Sequence, residues 1–240
     1  MISIEQFLHF YYNNIITLEK GILSVIREEC GEMGHKAICI NRKCGSEGHI
    51  IGKMAADKLG IGYYDRNLLD LALEYGGLAE YREKFEQADE RATNKAYYQL
   101  QYQGNDNVKK GYPHTETLYQ LQSDLIRELI KKEDCIFIGR CANYILQDVE
   151  DVDVLSIFIT APEEYRIKNI MESDNLTRTK AKMRIRQVDQ RRKAYYNCFT
   201  KTDWNHLSSY GMILNSEFLG KEKCCDIICE LYRSVLCHDN

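Results

Sequence analysis

Residues 37–60 read AICINRKCGSEGHIIGKMAADKLG: a short apolar run, three glycines within eight residues, and then a regular apolar repeat. Ala37, Ile38, Cys39 and Ile40 suit a buried parallel strand. Ile51, Ala55 and Leu59 recur every four residues, with Ile50 and Met54 beside them, which predicts a helix over about 49–59 that stops at Gly60. Between them, Gly45 and Gly48 permit positive φ and close approach of the backbone to a ligand. A strand, a glycine turn and a helix N-terminus together form an anion site, because unpaired N–H groups and the helix dipole face the bound charge. The G-x-x-x-x-G-K-[ST] pattern is not met in any frame, since Lys53 is followed by Met54. A tight strand-to-helix turn that binds nothing is the competing reading of these residues alone.

The rest of the chain gives that turn a setting. CIFI (135–138), VLSIFIT (154–160) and GMILN (211–215) are further short apolar strands. Helical patterns separate them, at 67–77, 78–100, about 118–132, 162–173, 177–198 and 220–236. Buried strands alternating with helices indicate a parallel sheet covered on both faces. In such sheets ligands bind beyond the carboxyl ends of the strands. That rule sends the glycine loop, Asp65-Arg66 and Arg140 to one rim. Arg140, directly after a buried strand, suits bidentate binding of a phosphate, or else pairs with a helix carboxylate. Asp65 either caps the helix starting near Asn67 or belongs to the site.

The chain has 240 residues, ten cysteines and a formal net charge of −4. Its length suits one large domain or a domain with an appendage. The mild acidity argues against a general nucleic-acid binder. There is no apolar run of membrane-spanning length and no signal-peptide pattern at the start. No C-x-x-C pair occurs, and several cysteines sit in apolar runs, so reduced structural thiols and a cytoplasmic setting are expected. Cys224, Cys225 and Cys229 share one helix without a nearby histidine, which speaks against a metal site. Phe7, Tyr11, Ile15, Leu18, Ile22 and Ile26 mark an N-terminal helix, with 1–36 read as a helical extension and linker. It is either packed on the domain or a homodimerisation arm.

Four stretches carry a family resemblance: AICINRKCGSEGHIIGKMAADKLGIGYYDRNLL (37–69), CIFIGRCANYIL (135–146), APEEYRIKNIM (161–171) and QRRKAYYNCFTKTDW (190–204). Their order and spacing resemble the cytidylate kinase-like family of P-loop proteins. The resemblance implies a three-layer α/β/α, nucleoside-monophosphate-kinase-like fold over 37–240, with an acceptor-side helical insertion at about 63–115 and a lid at about 162–200. It implies phosphoryl transfer from ATP, with Mg²⁺, to a nucleoside monophosphate such as CMP or a similar small phosphorylated acceptor. Arg42, Cys44, Gly45, Ser46, Glu47, Gly48, His49 and Ile50 would form the nucleotide loop. Asp65, Arg66 and Arg140 would meet the acceptor, while Arg140, Arg184, Arg191 and Arg192 would stabilise the transferring group, with Asp189 fixing an arginine.

Laid without gaps beside cytidylate kinases proper, the sequence has Gly48 where the loop lysine would be and Ile50 where the hydroxyl residue would be, the glycine being typical of the cytidylate kinase-like group it resembles. Glu47 holds a position that is commonly glycine. Arg42, His49 and Lys53 are the local cations that could replace the lysine, Lys53 being a turn along and turned to solvent. These departures leave a nucleotide-binding regulatory protein with little turnover as the alternative. Tyr195, Tyr196, Phe199 and Trp204 are read as core aromatics rather than base-stacking ones.

Overall fold

The computed structural model describes residues 34–65, 67–77, 79, 82 and 115–235. The N-terminal helix, the dimerisation arm, the helix read at 78–100 and Arg66 lie outside the described residues.

Five parallel strands run β1 (His35–Arg42), β2 (Gly62–Tyr64), β3 (Cys135–Ile138), β4 (Val152–Thr160) and β5 (Met212–Asn215), in the spatial order β2-β3-β1-β4-β5. β1 is central, with Ile38 opposite Ile136 of β3 on one side and Leu155 of β4 on the other. The described helices are α1 (Gly48–Leu59), α2 (Asn67–Tyr75), α3 (Thr115–Ile130), α4 (Ala142–Ile145), α5 (Glu163–Asp174), α6 (Arg178–Thr200) and α7 (Ser216–Val235). Gly220 is non-helical and interrupts α7. The short α4 is not foreseen in the sequence: four residues are too few to show a helical period.

Strand alternation divides the core. Ala37, Cys39, Cys135, Phe137 and Phe158 face a layer built from α2, α3, α4 and the aromatic end of α6. Ile38, Ile40, Ile136, Ile138, Leu155, Ile157 and Ile159 face α1 and α7, with Ile51, Ala55, Cys224 and Ile228 packed on them. Both faces are covered, so each central strand reads as continuously apolar. The result is an α/β fold with helices on both sides of a parallel sheet. Trp204 is 2% exposed and packs against Phe158, so this aromatic serves the core. Among the described residues no helix is long and apolar enough to cross a membrane.

At the amino ends of the strands, Asp134 accepts from the Lys36 N–H at 3.0 Å and from the Tyr232 hydroxyl, tying β1 and α7 together just before β3. The opposite rim is where the loops gather. The chain leaves β1 towards α1 on one face and leaves the adjacent β3 towards α4 on the other. Neighbouring strands whose exits diverge open a crevice between their carboxyl ends.

Candidate functional site

The loop from Lys43 to Glu47 turns on two left-handed residues, Gly45 at φ 78° and Glu47 at φ 58°. Gly45 must lack a side chain: a Cβ there would fall 2.5 Å from the Arg166 carbonyl oxygen. The turn leads straight into the amino end of α1, where the Ile50 and Ile51 N–H groups are taken by the Glu47 carbonyl at 2.9 and 3.0 Å. The Ser46 hydroxyl is fully buried, within 2.8 Å of the Lys43 carbonyl and 3.0 Å of the Ile159 carbonyl, so it braces the loop from inside. The Cys44 thiol is also buried, and burial raises its pKa, while Arg192 pulls the other way.

Glu47 is drawn off the loop. Its carboxylate accepts from the Tyr165 hydroxyl at 2.6 Å and from Lys221 Nζ at 3.0 Å. The Glu47 hydrogen bond in turn raises the Lys221 pKa. A carboxylate at the mouth of an anion loop is thus neutralised by a cation from the start of the second half of α7. Lys221→Ala is expected to weaken ATP binding about 3- to 10-fold, an effect kept small because the pair is partly exposed and screened. Lys221→Ala combined with Glu47→Gln should restore it. Calorimetric titration at low and physiological salt checks both.

Helices α5 and α6 grip the loop from the other side. Arg166 Nη1 lies 3.2 Å from the Cys44 carbonyl and 2.8 Å from Asp189 Oδ2, while Arg166 Nε donates to the Ala161 carbonyl at 3.1 Å. Asp189 Oδ1 accepts the Cys44 N–H at 2.7 Å, and Asn169 Nδ2 donates to the Gly45 carbonyl at 2.9 Å. Ile167, Ala181 and Ile185 pack with Cys44 beneath these bonds. Asp189 therefore does fix an arginine, and it is Arg166. Arg166 and Asn169 were not singled out from the sequence. Their signal is the i, i+3 spacing of the two polar residues on either side of buried Ile167, which places them on the loop-facing side of α5.

The predicted lid arginines separate. Along α6 the residues Ala181, Ile185, Asp189, Arg192 and Tyr196 keep one face. Arg192 Nη1 donates to the Arg42 carbonyl at 2.9 Å, inside the crevice. Arg184 lies off that face, 51% exposed and paired with Asp174. Arg191 is half-buried, beside Arg192 but a step off the same face.

Arg42, from the end of β1, runs across the carboxyl end of β3 to Asp65 beyond β2, where Nη2 meets Oδ1 at 3.1 Å. The two side chains are only 15% and 17% exposed. Asp65 thus pairs across the rim rather than serving only as a helix cap. Arg140 follows Gly139 in a run of three left-handed residues, with φ of 75°, 55° and 58° at Gly139, Arg140 and Cys141. Left-handed non-glycine residues cost about 1–2 kcal/mol each, and they persist where surrounding structure holds them, commonly at functional sites. Here the Gly139 N–H is tied to the Ile40 carbonyl at 2.9 Å, which locks the turn against β1.

The guanidinium group of Arg42 feels those of both Arg192 and Arg140. Burial, then Arg192, push the Arg42 pKa down to about 9; Asp65 pulls it up and Arg140 adds to the lowering. Burial likewise lowers that of Arg192. Both remain cations at neutral pH. Like charge thus stands close to the buried Arg42, with Asp65 and Asp189 as the neighbouring carboxylates. His49 lies in the first turn of α1, with its carbonyl accepting from the Tyr63 hydroxyl at 3.0 Å, and Lys53 bonds Asp57 on the solvent side.

A directly held Mg²⁺ does not fit this donor set. Exposed, apolar Ile50 stands where a hydroxyl ligand would be. The carboxylates of Asp65 and Asp189 are committed to arginines. Among the described residues no group of three or more His, Cys, Asp or Glu is placed to hold a metal ion.

A parallel sheet with a glycine-rich loop at the centre of its carboxyl rim, flanked by arginines, is the arrangement of a kinase-like α/β fold. The chain belongs to the cytidylate kinase-like family, whose model matches residues 37–217. A curated cytidylate kinase from Staphylothermus marinus is 31% identical over 109 residues, which make up 44% of this chain and 58% of that protein. The match spans less than two thirds of that relative's length. The crystal structure of an uncharacterized protein from Eubacterium ventriosum superposes with a TM-score of 0.61 at 21% identity, covering 83% of this chain and 99% of that one. A shikimate kinase from Bacteroides thetaiotaomicron aligns at 13% identity with a TM-score of 0.48, over 82% of this chain and 98% of that one.

Proposed function

We propose that this protein transfers the γ-phosphoryl group of ATP to a nucleoside monophosphate, CMP among the candidates, or to a similar small phosphorylated acceptor. The observation that supports the reading is Arg42, at the start of the glycine loop, paired with Asp65, bonded through its carbonyl by Arg192 and near enough to Arg140 to feel its charge. Family membership supports the kinase class, and the printed activity of the Staphylothermus marinus relative supports cytidylate as acceptor. In this reading the loop N–H groups take the donor phosphates, and Arg140 takes the acceptor phosphate. Arg192 faces the transferring group, while Arg184 and Arg191 stand further out on the lid.

An oxygen of the acceptor phosphate attacks the γ-phosphorus, the bond to the β–γ bridging oxygen breaks, and ADP leaves. An acceptor that is already an anionic phosphate needs no general base. Phosphoryl transfer of this kind depends on positioning and on stabilising charge spread over the phosphate oxygens, which is what converging guanidinium groups supply. Mg²⁺ would come with the nucleotide's own phosphates and supply charge neutralisation there; among the described residues no group of three or more His, Cys, Asp or Glu is placed to hold it. The partners are small nucleotides. A cytoplasmic location is supported by eight free cysteines among the described residues, most of them buried.

The test is calorimetric titration of ATP, and then of a panel of monophosphates, into the wild type and Arg140→Ala. One monophosphate binding the wild type and lost from the variant supports the assignment of donor and acceptor sides. Equal monophosphate binding by both proteins removes Arg140 from the acceptor site.

A further inference from the structure

The loop has glycine where the phosphate-loop pattern has lysine, and the geometry around that glycine says where the charge went. A Cβ on Gly48 would lie 2.6 Å from Cβ of Arg42 and 3.1 Å from its Cγ. A Cβ on Gly139 would lie 2.5 Å from Nη1 of the same arginine. Two glycines, one opening α1 and one closing β3, leave a corridor that the Arg42 side chain fills from stem to guanidinium. A lysine side chain at position 48 and the arginine side chain at 42 exclude each other in this corridor.

We infer that Arg42 supplies the loop's missing cation: it holds a phosphate group of a bound polyphosphate from across the crevice, and Gly48 is the concession that admits it. The inference deepens the kinase reading and rests on it only for the identity of the ligand.

A structural ion pair with Asp65 does not account for the arrangement by itself. One carboxylate needs one guanidinium, and Arg42 commits only Nη2 to Asp65, at 3.1 Å. A guanidinium carries five N–H donors in a planar fork, so further donors remain to face an incoming oxyanion. Arg192 is bound to the Arg42 carbonyl, and Arg140 follows the glycine that Arg42 crosses. Arg192 and Arg140 both act on the poorly solvated Arg42 against the pull of Asp65, and an anion reaching its guanidinium would offset that repulsion. The fork also suits its place: anchored at Asp65, it is held in one orientation, whereas a lysine on the helix would offer a mobile point charge. Lys53, a turn further along α1, is bonded to Asp57 on the solvent side.

The experiment titrates inorganic tripolyphosphate, and separately ATP, into the full chain as wild type, Arg42→Gln, Gly48→Lys and the double variant Arg42→Ala/Gly48→Lys, with the Tm of each recorded. Loss of one charge-assisted contact is expected to weaken tripolyphosphate binding by Arg42→Gln about 10- to 100-fold. Gly48→Lys alone should lower Tm, because its side chain meets Arg42. In the double variant the arginine no longer fills the corridor and the lysine takes its place, so Tm should recover, and the affinity for tripolyphosphate should return to within about tenfold of wild type. If Arg42→Gln does not fold, the double variant decides. Wild-type tripolyphosphate binding that is absent, or that survives Arg42→Gln unchanged, overturns the inference. So does a folded double variant that regains no affinity. Tripolyphosphate binding that depends on Arg42, without ATP binding or any transfer, upholds the inference and defeats the kinase reading instead.

Discussion

Arg140→Ala is expected to lower turnover with the preferred monophosphate about 10²- to 10³-fold, the usual consequence of deleting one preorganised charged donor at a reacting phosphoryl group. The residue sits on a left-handed turn locked to β1 through the Gly139 N–H, directly beyond a buried strand, and close enough to influence Arg42. The fall should appear in the KM for the acceptor as well as in kcat, while the affinity for ATP changes little. Steady-state kinetics with each substrate varied in turn check that division. A variant impaired equally towards both substrates would mean that Arg140 shapes the whole crevice rather than one side of it.

Asp189→Ala should have the largest effect on stability. This carboxylate binds the Cys44 N–H and Arg166 at once, and both partners are largely shielded, Arg166 being 13% exposed. Removing it strands a cation and a backbone donor in the lid-to-loop contact. Breaking a buried pair from one side costs 3–5 kcal/mol, so about 2–4 kcal/mol is expected for this slightly solvated one. In a domain of this size that lowers Tm by about 5–12 °C. Asp189→Asn keeps an acceptor for the Cys44 N–H and should cost about half as much. Urea unfolding and thermal melts measure both variants. A loss below about 1 kcal/mol for the alanine variant would show that α5 and α6 rest on the loop without being anchored to it.

How much of this was legible in the sequence depended on the range of each interaction. CIFI at 135–138 coincides with β3, and Gly60 stops α1 at a φ of 69° as its position after the last apolar repeat implies. Local pattern was sufficient there. The carboxyl-rim rule brought the glycine loop, Asp65 and Arg140 towards one edge without any coordinates, because a parallel sheet leaves ligands no other common rim. The partners of the intrusive Glu47 were out of reach: Tyr165 and Lys221 are 118 and 174 residues away in sequence. The inward turn of Asp189 and Arg192 was written in their i+4 and i+7 spacing from Ile185, but a helix carrying so many arginines does not announce which of them matters. The glycine at 48 looked like a loss of charge until Arg42 was seen to occupy its space.

The measurement that tests the central claim most directly follows the γ-phosphoryl group itself. ATP with Mg²⁺ is incubated with the wild-type chain and each nucleoside monophosphate in turn, and the nucleotides are resolved by ³¹P NMR or ion-exchange chromatography. The account predicts that one monophosphate is converted to its diphosphate with stoichiometric formation of ADP, and that Arg140→Ala suppresses this conversion. ATP binding without transfer to any acceptor in the panel would contradict it, and would mean that the arginine-lined crevice holds phosphates without moving them.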